Sequence, residues 1–175
     1  MLTGRVDSAL NLIKGGGACH LREKVIAAAA REFVVVADDR KRSDVLGTSW
    51  KQGIPVEVTP FAAMQALATL KQLGSTDAQL RMGGGKAGPV VTDNGNFVID
   101  APFSESYMRD PKLLAMQIKQ VIGVVEVGLF TDMAKAAYFG HEDGSVTVQH
   151  ADGSSHRTTK LSLIHISEPT RRYAI

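Results

Sequence analysis

The stretch LNLIKGGGACHLREK near the start of the chain combines residue types that could move a proton. Lys14 precedes Gly15, Gly16 and Gly17, and Glu23 follows on the first turns of a predicted helix. A glycine-rich turn before a helix lets backbone N–H groups and the positive end of the helix approach an anion. If the loop folds back, the Lys14 ammonium, the backbone N–H groups of the glycines and the Glu23 carboxylate would surround one small molecule. This set suits proton abstraction next to a carbonyl, with the lysine and N–H groups stabilising an enediolate.

Each of these features also has an ordinary structural interpretation. The glycines can form a tight strand-to-helix connection that binds nothing. Glu23 can be a solvated helix charge between Arg22 and Lys24. Nucleotide-binding loops are excluded, because the stretch lacks GxxxxGK[ST] and has His20 where GxGxxG requires its last glycine.

A second cation, Lys41, follows the run FVVVA at Phe33–Ala37. Continuous β-branched residues predict a strand near the centre of a parallel sheet, buried on both faces. A lysine at the carboxyl end of such a strand can meet a phosphate as a compact point charge. The alternative is an exposed loop lysine.

The elements that must position these residues alternate between strand and helix. Leu10–Ile13, Glu23–Glu32 and Phe33–Ala37 predict a βαβ unit. The order β-α-β-β-α-β over Val56–Phe130 fits a ferredoxin-like split βαβ module, inserted into the first domain. Its hairpin signal is Asn94-Gly95. Its first helix has an apolar stripe made of Phe61, Met64, Leu67 and Leu70, and its second helix is capped by Asp110 and has an apolar face of Leu114, Ile118, Val121 and Ile122.

A second glycine run, MGGGKAGP at Met82–Pro89, invites comparison with a phosphate-binding loop. No Ser or Thr follows Lys86, and the segment lies between two predicted antiparallel strands. We therefore predict a hairpin loop without a ligand.

Composition excludes several classes of protein. The 175 residues have a net charge of +2 with acids and bases interspersed, unlike a nucleic-acid binder. No apolar run approaches the roughly 18 residues of a membrane span, and a cytoplasmic protein is predicted. The single cysteine, Cys19, excludes an internal disulfide, and the histidines have no metal-ligand spacing, so we predict neither metal nor cofactor.

Five sequence blocks, taken in order along the chain, resemble the A-type ribose-5-phosphate isomerase family. They are LNLIKGGGACHLREK, FVVVADDRK, LGTSWKQGIPVEVTP, KAGPVVTDNGNFVID and VVEVGLF. The resemblance implies a metal-free aldose–ketose isomerisation of ribose 5-phosphate and ribulose 5-phosphate through an enediolate, in the non-oxidative pentose phosphate pathway. It places Glu23 on the catalytic base, and Lys14, Gly15, Gly16, Gly17 and Lys41 on substrate-binding positions.

The resemblance also implies a domain organisation and an assembly. Residues 6–55 and 131–160 would form an incomplete Rossmann-like parallel-sheet domain, and residues 56–130 a ferredoxin-like lid. The full-length protein would be a homodimer or homotetramer. A non-catalytic sugar-phosphate-binding protein on the same scaffold is the alternative, although binding alone does not need a carboxylate facing an anionic ligand.

The chain departs from the family at both ends. Met1 and Gly4 stand where the family has two aspartates that bind substrate and assist ring opening, and the phosphate-gripping SGST loop is absent. Residues 161–175 begin with LSLIHISEPTR, which is similar to a translated sequencing-library adapter. We interpret them as a non-native tail and exclude them from the fold, with a native exposed tail as the alternative. We expect an N-terminally truncated isomerase that is aggregation-prone, has exposed apolar faces and is weakly active or inactive.

Overall fold

The computed structural model describes residues 5–47, 50–85 and 87–159, which form an α/β fold with three sheets. This is the fold class that the sequence predicts. In chain order the elements are β1 (Arg5–Val6), β2 (Leu12–Ile13), α1 (His20–Ala29), β3 (Phe33–Asp38), β4 (Ile54–Val58), α2 (Ala63–Leu73), β5 (Gln79–Leu80), β6 (Phe97–Ala101), α3 (Glu105–Met108), α4 (Pro111–Lys119), β7 (Val124–Val127), β8 (Leu129–Phe130), β9 (Ala134–Gly140), β10 (Val146–His150) and β11 (Ser155–Thr158).

The ferredoxin-like order of strands is present in one of the sheets. Its strands lie in the order β5-β6-β4-β7, and every neighbouring pair is antiparallel. The hairpin before β6 turns at Gly95, whose positive φ of 76° suits glycine, and the Thr92 N–H donates to the Asn96 carbonyl at 2.8 Å. The Asp110 carboxylate caps α4 by accepting from the Leu113 N–H at 3.0 Å.

The helices of this module bury part of the predicted stripes. Leu70, Leu114 and Ile118 are buried, and Leu67 and Val121 pack against the core. Phe61 is fully exposed and Met64 is 69% exposed, whereas Ala63, Ala66 and Leu70 are buried. Phe61 precedes α2, in the 3₁₀ turn Pro60–Ala62, and the buried face of α2 does not include Met64. Ile122 likewise lies beyond the end of α4 and is 85% exposed.

A second sheet has the order β11-β10-β9-β3, with β3 parallel to β9. The prediction that β3 is a central strand buried on both faces is wrong for the described residues. The strand lies at the sheet edge, and burial alternates along it, with Val35 at 1% and Val36 at 57% exposure. Because no described element covers its outer face, Val34 and Val36 face solvent.

The third sheet, β1-β2-β8, is small and links the two halves of the core. In β2 Leu12 packs into the core beneath β3 and β9. Ile13 packs instead into the core of the sheet that β4, β5, β6 and β7 form, called the β4–β7 sheet below. In β8 Leu129 and Phe130 divide in the same way. Both neighbours of β2 are antiparallel to it, so β2 and β3 do not form the predicted parallel βαβ pair. The domain boundaries themselves stay a prediction.

Candidate active site

The first two predicted site residues form an ion pair where the two cores meet. Lys14 follows β2 directly, and its Nζ lies 3.2 Å from Oε1 of Glu23. The Lys14 side chain is only 1% exposed and that of Glu23 is 18% exposed. The backbone N–H of Lys14 donates to the Gly128 carbonyl at 2.8 Å, which ties the lysine to the strand pair β2–β8. A buried ammonium beside a partly exposed carboxylate is the combination that the proton-transfer hypothesis requires.

The neighbours of Glu23 in LREK hold α1 on two different sides. The Arg22 guanidinium donates to the Asn94 side chain at 3.0 Å and to the Asp93 carbonyl at 2.7 Å, both in the hairpin before β6. The Lys24 ammonium donates to Oε1 of Glu126 at 2.9 Å and to carbonyls of β7 and β8. Successive helical residues point about 100° apart. With both flanking residues fixed, Glu23 turns toward Lys14.

The hairpin that holds Arg22 is itself organised by a buried carboxylate. Oε1 of Glu57, on β4, accepts hydrogen bonds from the side chains of Thr92, Asn94 and Asn96 at 2.8–2.9 Å. Glu57 is fully buried. The position of α1 therefore depends on the β4–β7 sheet as well as on β2.

Gly15, Gly16 and Gly17 have two different environments. Gly15 is buried with a φ of +102°, and a Cβ there would lie 2.6 Å from Nδ1 of the buried His20. Gly16 and Gly17 are exposed, and nothing lies within 3.4 Å of a Cβ at either. Gly15 is thus required by the backbone, whereas the other two leave open space beside the Lys14–Glu23 pair.

The second predicted cation, Lys41, also lies at this site. A cavity of about 300 Å³ is lined by Arg5, Ile13, Lys14, Gly15, Gly16, Gly17, Cys19, Glu23, Lys41 and Trp50. All six predicted site residues are in this lining. Lys41 ends the 3₁₀ turn Asp39–Lys41 that follows β3, so the edge position of that strand does not remove the lysine from the cavity.

Cys19 lines the cavity but lacks the character of a nucleophile. Burial raises the pKa of the Cys19 thiol above its usual range, and the neighbouring Glu23 acts in the same direction. Cys19 is therefore held as the unreactive thiol. Burial lowers the pKa of His20, so this imidazole is neutral at pH 7 where it packs on Gly15.

A larger cavity, of about 760 Å³, contains none of the predicted site residues. Its lining mixes Asp7, Asp39 and Asp44 with Arg40 and Arg42. Mixed charges of this kind do not select an anion. Among the described residues no three His, Cys, Asp or Glu side chains come together as a metal site would require.

Several residues at the site were missed by sequence reasoning. Arg81 donates from Nη1 to the Gly15 carbonyl at 2.9 Å and to the Gly16 carbonyl at 3.0 Å. Arg81 lies 65 positions from Gly16 in the chain, and no local sequence pattern indicates the contact. Trp50 also lines the cavity, and its indole N–H donates to the Gly53 carbonyl at 3.0 Å.

Some sequence predictions concern positions that lie outside the described residues. These are Met1 and Gly4 at the positions of the family's aspartates, Lys86 of the second glycine run, and the tail at 161–175.

Residues 3–144 match the family model "Ribose 5-phosphate isomerase A (phosphoriboisomerase A)". A ribose-5-phosphate isomerase of Mycosarcoma maydis is 63% identical over 148 residues, which are 85% of this chain and 52% of that protein. The chain thus spans about half the length of the curated relatives that it matches.

Solved structures give the same result. The ribose 5-phosphate isomerase A of Methanocaldococcus jannaschii is 38% identical, with a TM-score of 0.77 over 85% of this chain and 63% of that chain. A D-ribose-5-phosphate isomerase in complex with phospho-erythronic acid is 39% identical, with a TM-score of 0.78 over 85% of this chain and 62% of that chain. Sequence, fold and family model agree, and the chain belongs to the ribose 5-phosphate isomerase A family.

Proposed function

We propose that this protein interconverts ribose 5-phosphate and ribulose 5-phosphate, with Glu23 as the catalytic base. The observation that carries the proposal is the Lys14–Glu23 pair, 3.2 Å apart, at a glycine loop that lines one cavity with Lys41. A named relative of 63% identity supports the choice of substrate.

In the proposed reaction the Glu23 carboxylate removes the proton from C2 of the open-chain aldose. The C2–H electron pair forms the C1–C2 double bond of an enediolate, and the C1 carbonyl oxygen takes up the negative charge. Return of the proton to C1, with transfer of the hydroxyl proton on O2 to O1, gives the ketose. The carboxylate is regenerated, so atoms and electrons balance.

Lys14 has two tasks in this scheme. In the free protein its ammonium pairs with Glu23 and holds the carboxylate in place. When the sugar is bound, the same compact charge faces the developing oxyanion and stabilises it electrostatically. The buried position of Lys14 strengthens this effect, because little water competes for the ammonium.

Lys41 is proposed to bind the substrate's phosphate. It lines the cavity from the turn after β3, on a different element from Lys14 and Glu23. A lysine on a separate element can hold the phosphate while the other end of the sugar meets the proton-transfer pair.

The test is isomerisation of ribose 5-phosphate by the purified chain, followed by ¹H NMR in ²H₂O. The solvent labels C1 of the product, and long incubation makes slow turnover visible, which suits a chain with Met1 and Gly4 at two expected aspartate positions. Glu23→Gln should lower the rate of ²H incorporation about 10²- to 10⁴-fold. Glu32→Gln, an exposed glutamate beyond the end of α1, is the matched control and should not change the rate.

A parallel calorimetric titration with phospho-erythronic acid separates binding from catalysis. Binding without ²H incorporation above the Glu23→Gln background would favour a non-catalytic sugar-phosphate-binding protein. Incorporation that is unchanged in Glu23→Gln would remove the glutamate from its role. A chain that shows neither binding nor incorporation would contradict both functions.

We further propose a cytoplasmic enzyme that assembles as a homodimer or homotetramer, as the family resemblance implies. No helix in the described part of the chain has the length and apolar character needed to cross a membrane. Light scattering on the purified protein tests the assembly, and fractionation of the source cells tests the location.

A further inference from the structure

Arg81 follows β5 and connects the β4–β7 sheet to the glycine loop. Its guanidinium donates hydrogen bonds to Asp100 in the sheet and to two carbonyls of the loop. Its Nη1 donates to the carbonyls of Gly15 and Gly16, at 2.9 and 3.0 Å. Its Nε donates to Oδ2 of Asp100 at 2.9 Å, and its Nη2 donates to Oδ1 of the same carboxylate. One edge of the guanidinium is fixed by a carboxylate, and the remaining N–H groups hold the loop.

The Arg81–Asp100 pair is rigidly supported. Asp100 lies on β6, opposite Pro55 of β4 and Gln79 of β5. Oδ2 of Asp100 also accepts a hydrogen bond from the Gln52 side chain at 3.2 Å. The two side chains are only 11% and 12% exposed. A bidentate pair with this little exposure fixes the direction of the guanidinium plane.

Holding the two carbonyls fixes two N–H groups on the opposite side of the chain. In a planar trans peptide, the C=O of one residue and the N–H of the next point in opposite directions. The carbonyls of Gly15 and Gly16 point at Arg81, so the N–H groups of Gly16 and Gly17 point away from it. Neither N–H donates a hydrogen bond within the described part of the chain. The three glycines line the cavity and Arg81 does not.

We propose that Arg81, held by Asp100, is a positioning residue that aims the N–H groups of Gly16 and Gly17 at the oxygens of the bound sugar. This inference rests on the isomerase function proposed above and deepens it. Arg81 touches no substrate atom and acts through the loop. Two backbone donors in a fixed direction lower the cost of organising the site when the enediolate forms. The β4–β7 sheet thereby contributes to catalysis as well as to the fold.

The experiment uses the whole chain, uniformly labelled with ¹⁵N, and phospho-erythronic acid as the probe. In the wild-type protein, addition of the acid should shift the amide resonances of Gly16 and Gly17. In Arg81→Gln the same titration should give small shifts at these two amides and binding about tenfold weaker, as expected for loss of one or two oriented donors. In the NMR turnover assay kcat should fall more than KM rises, because the donors matter most when negative charge develops.

Two further variants control for loss of structure. Arg157→Gln removes an arginine that pairs with Asp143 at 2.7 Å outside the cavity lining, and it should leave binding and both amide shifts unchanged. Arg81→Lys keeps the charge beside Asp100, but one ammonium cannot reproduce the planar fork. Its affinity for phospho-erythronic acid should lie between those of the wild-type protein and Arg81→Gln. If Arg81→Gln does not fold, Arg81→Lys is the variant that tests the inference.

The outcomes separate this inference from the proposed function. Wild-type amide shifts and affinity in folded Arg81→Gln would overturn the positioning role and leave the role of Glu23 intact. Failure of the wild-type chain to bind phospho-erythronic acid would overturn the proposed function and this inference together. Loss of binding in Arg81→Gln with unshifted Gly16 and Gly17 amides in the wild type would show a purely structural arginine and would also overturn the inference.

Discussion

The chain contains two runs of three glycines, and the fold places them in opposite environments. The first glycine loop, Gly15–Gly17, starts beneath the buried His20, and Arg81 binds two of its carbonyls. In the second glycine loop, Gly83–Gly85, the first residue donates to the Gly88 carbonyl at 3.0 Å, which closes a local hairpin. Nothing lies within 4 Å of a Cβ on its other two residues.

The difference shows that glycine content alone does not make a binding loop. The first glycine loop follows Lys14, which is buried by two cores, and leads into the helix that carries Glu23. The second lies in a hairpin closed by the antiparallel bridge between Met82 and Pro89. A loop becomes a candidate site when other elements fix its carbonyls and surround it with buried charge.

The largest expected contrast between the loops is in stability. Gly15→Ala should lower the free energy of unfolding by about 2–4 kcal/mol, because it combines a left-handed backbone with overlap onto His20 and Pro55. Gly84→Ala, in the second loop, should change it by less than about 0.5 kcal/mol. Urea unfolding followed by circular dichroism measures both. Equal stabilities of the two variants would show that the first glycine loop is not held as described.

The next contrast concerns the lysines beside the loops. Lys14→Met should weaken binding of phospho-erythronic acid about 10- to 100-fold, because it removes a buried charged donor. Lys86→Met, beside the second loop in the sequence, is the matched variant and should bind as the wild type does. Calorimetric titration gives both constants. Equal losses in the two variants would point to general charge attraction in place of a built site.

A smaller contrast separates the glycines that are open to solvent. Gly16→Ala has an allowed backbone and free space, so its free energy of unfolding should stay within about 0.5 kcal/mol of wild type. Its added methyl group should nevertheless weaken binding of phospho-erythronic acid about tenfold, by separating the ligand from the backbone donors. Gly85→Ala should change neither quantity. Unchanged affinity in Gly16→Ala would place the ligand away from this loop.

The smallest expected effect is a pH dependence contributed by His20. Burial lowers the pKa of His20 in the folded protein, whereas the unfolded chain binds a proton near pH 6.5. The unfolded state therefore binds more protons below that pH, and the free energy of unfolding decreases as the pH falls from 7.5 to 5.5. The decrease should be larger in wild type than in His20→Gln. Substitution of the exposed His156 by Gln is the control and should leave the decrease as in wild type.

The sequence predicted the local elements better than their neighbours. The Asn94-Gly95 hairpin and the Asp110 cap are confirmed because each depends on a few adjacent residues. The two-sided burial of Phe33–Ala37 was wrong, because a β-branched run does not specify how many faces of a sheet are covered. The predicted stripe of the first helix was right at Leu70 and wrong at Phe61 and Met64, because Phe61 precedes α2 and the buried face of the helix runs through Ala63 and Ala66.

The same division holds for the site. The residue types and order of KGGG and REK are present in the sequence, and they allowed Lys14, Glu23 and Lys41 to be chosen. Their meeting in one cavity depends on distant elements, because the hydrogen-bond acceptors of Arg22 and Lys24 lie 71 or more positions away in the chain. The roles of the three residues stay predictions until the variants are measured.

By itself the sequence determined the family, the α/β class and the chemical groups available for proton transfer. Only the tertiary structure decided which glycine loop is held open beside buried charge and that Arg81 fixes its carbonyls. The physical reason is that side-chain chemistry and turn preferences are local properties. Burial, ion pairing and peptide orientation at this site depend on strands that are brought together from opposite ends of the chain.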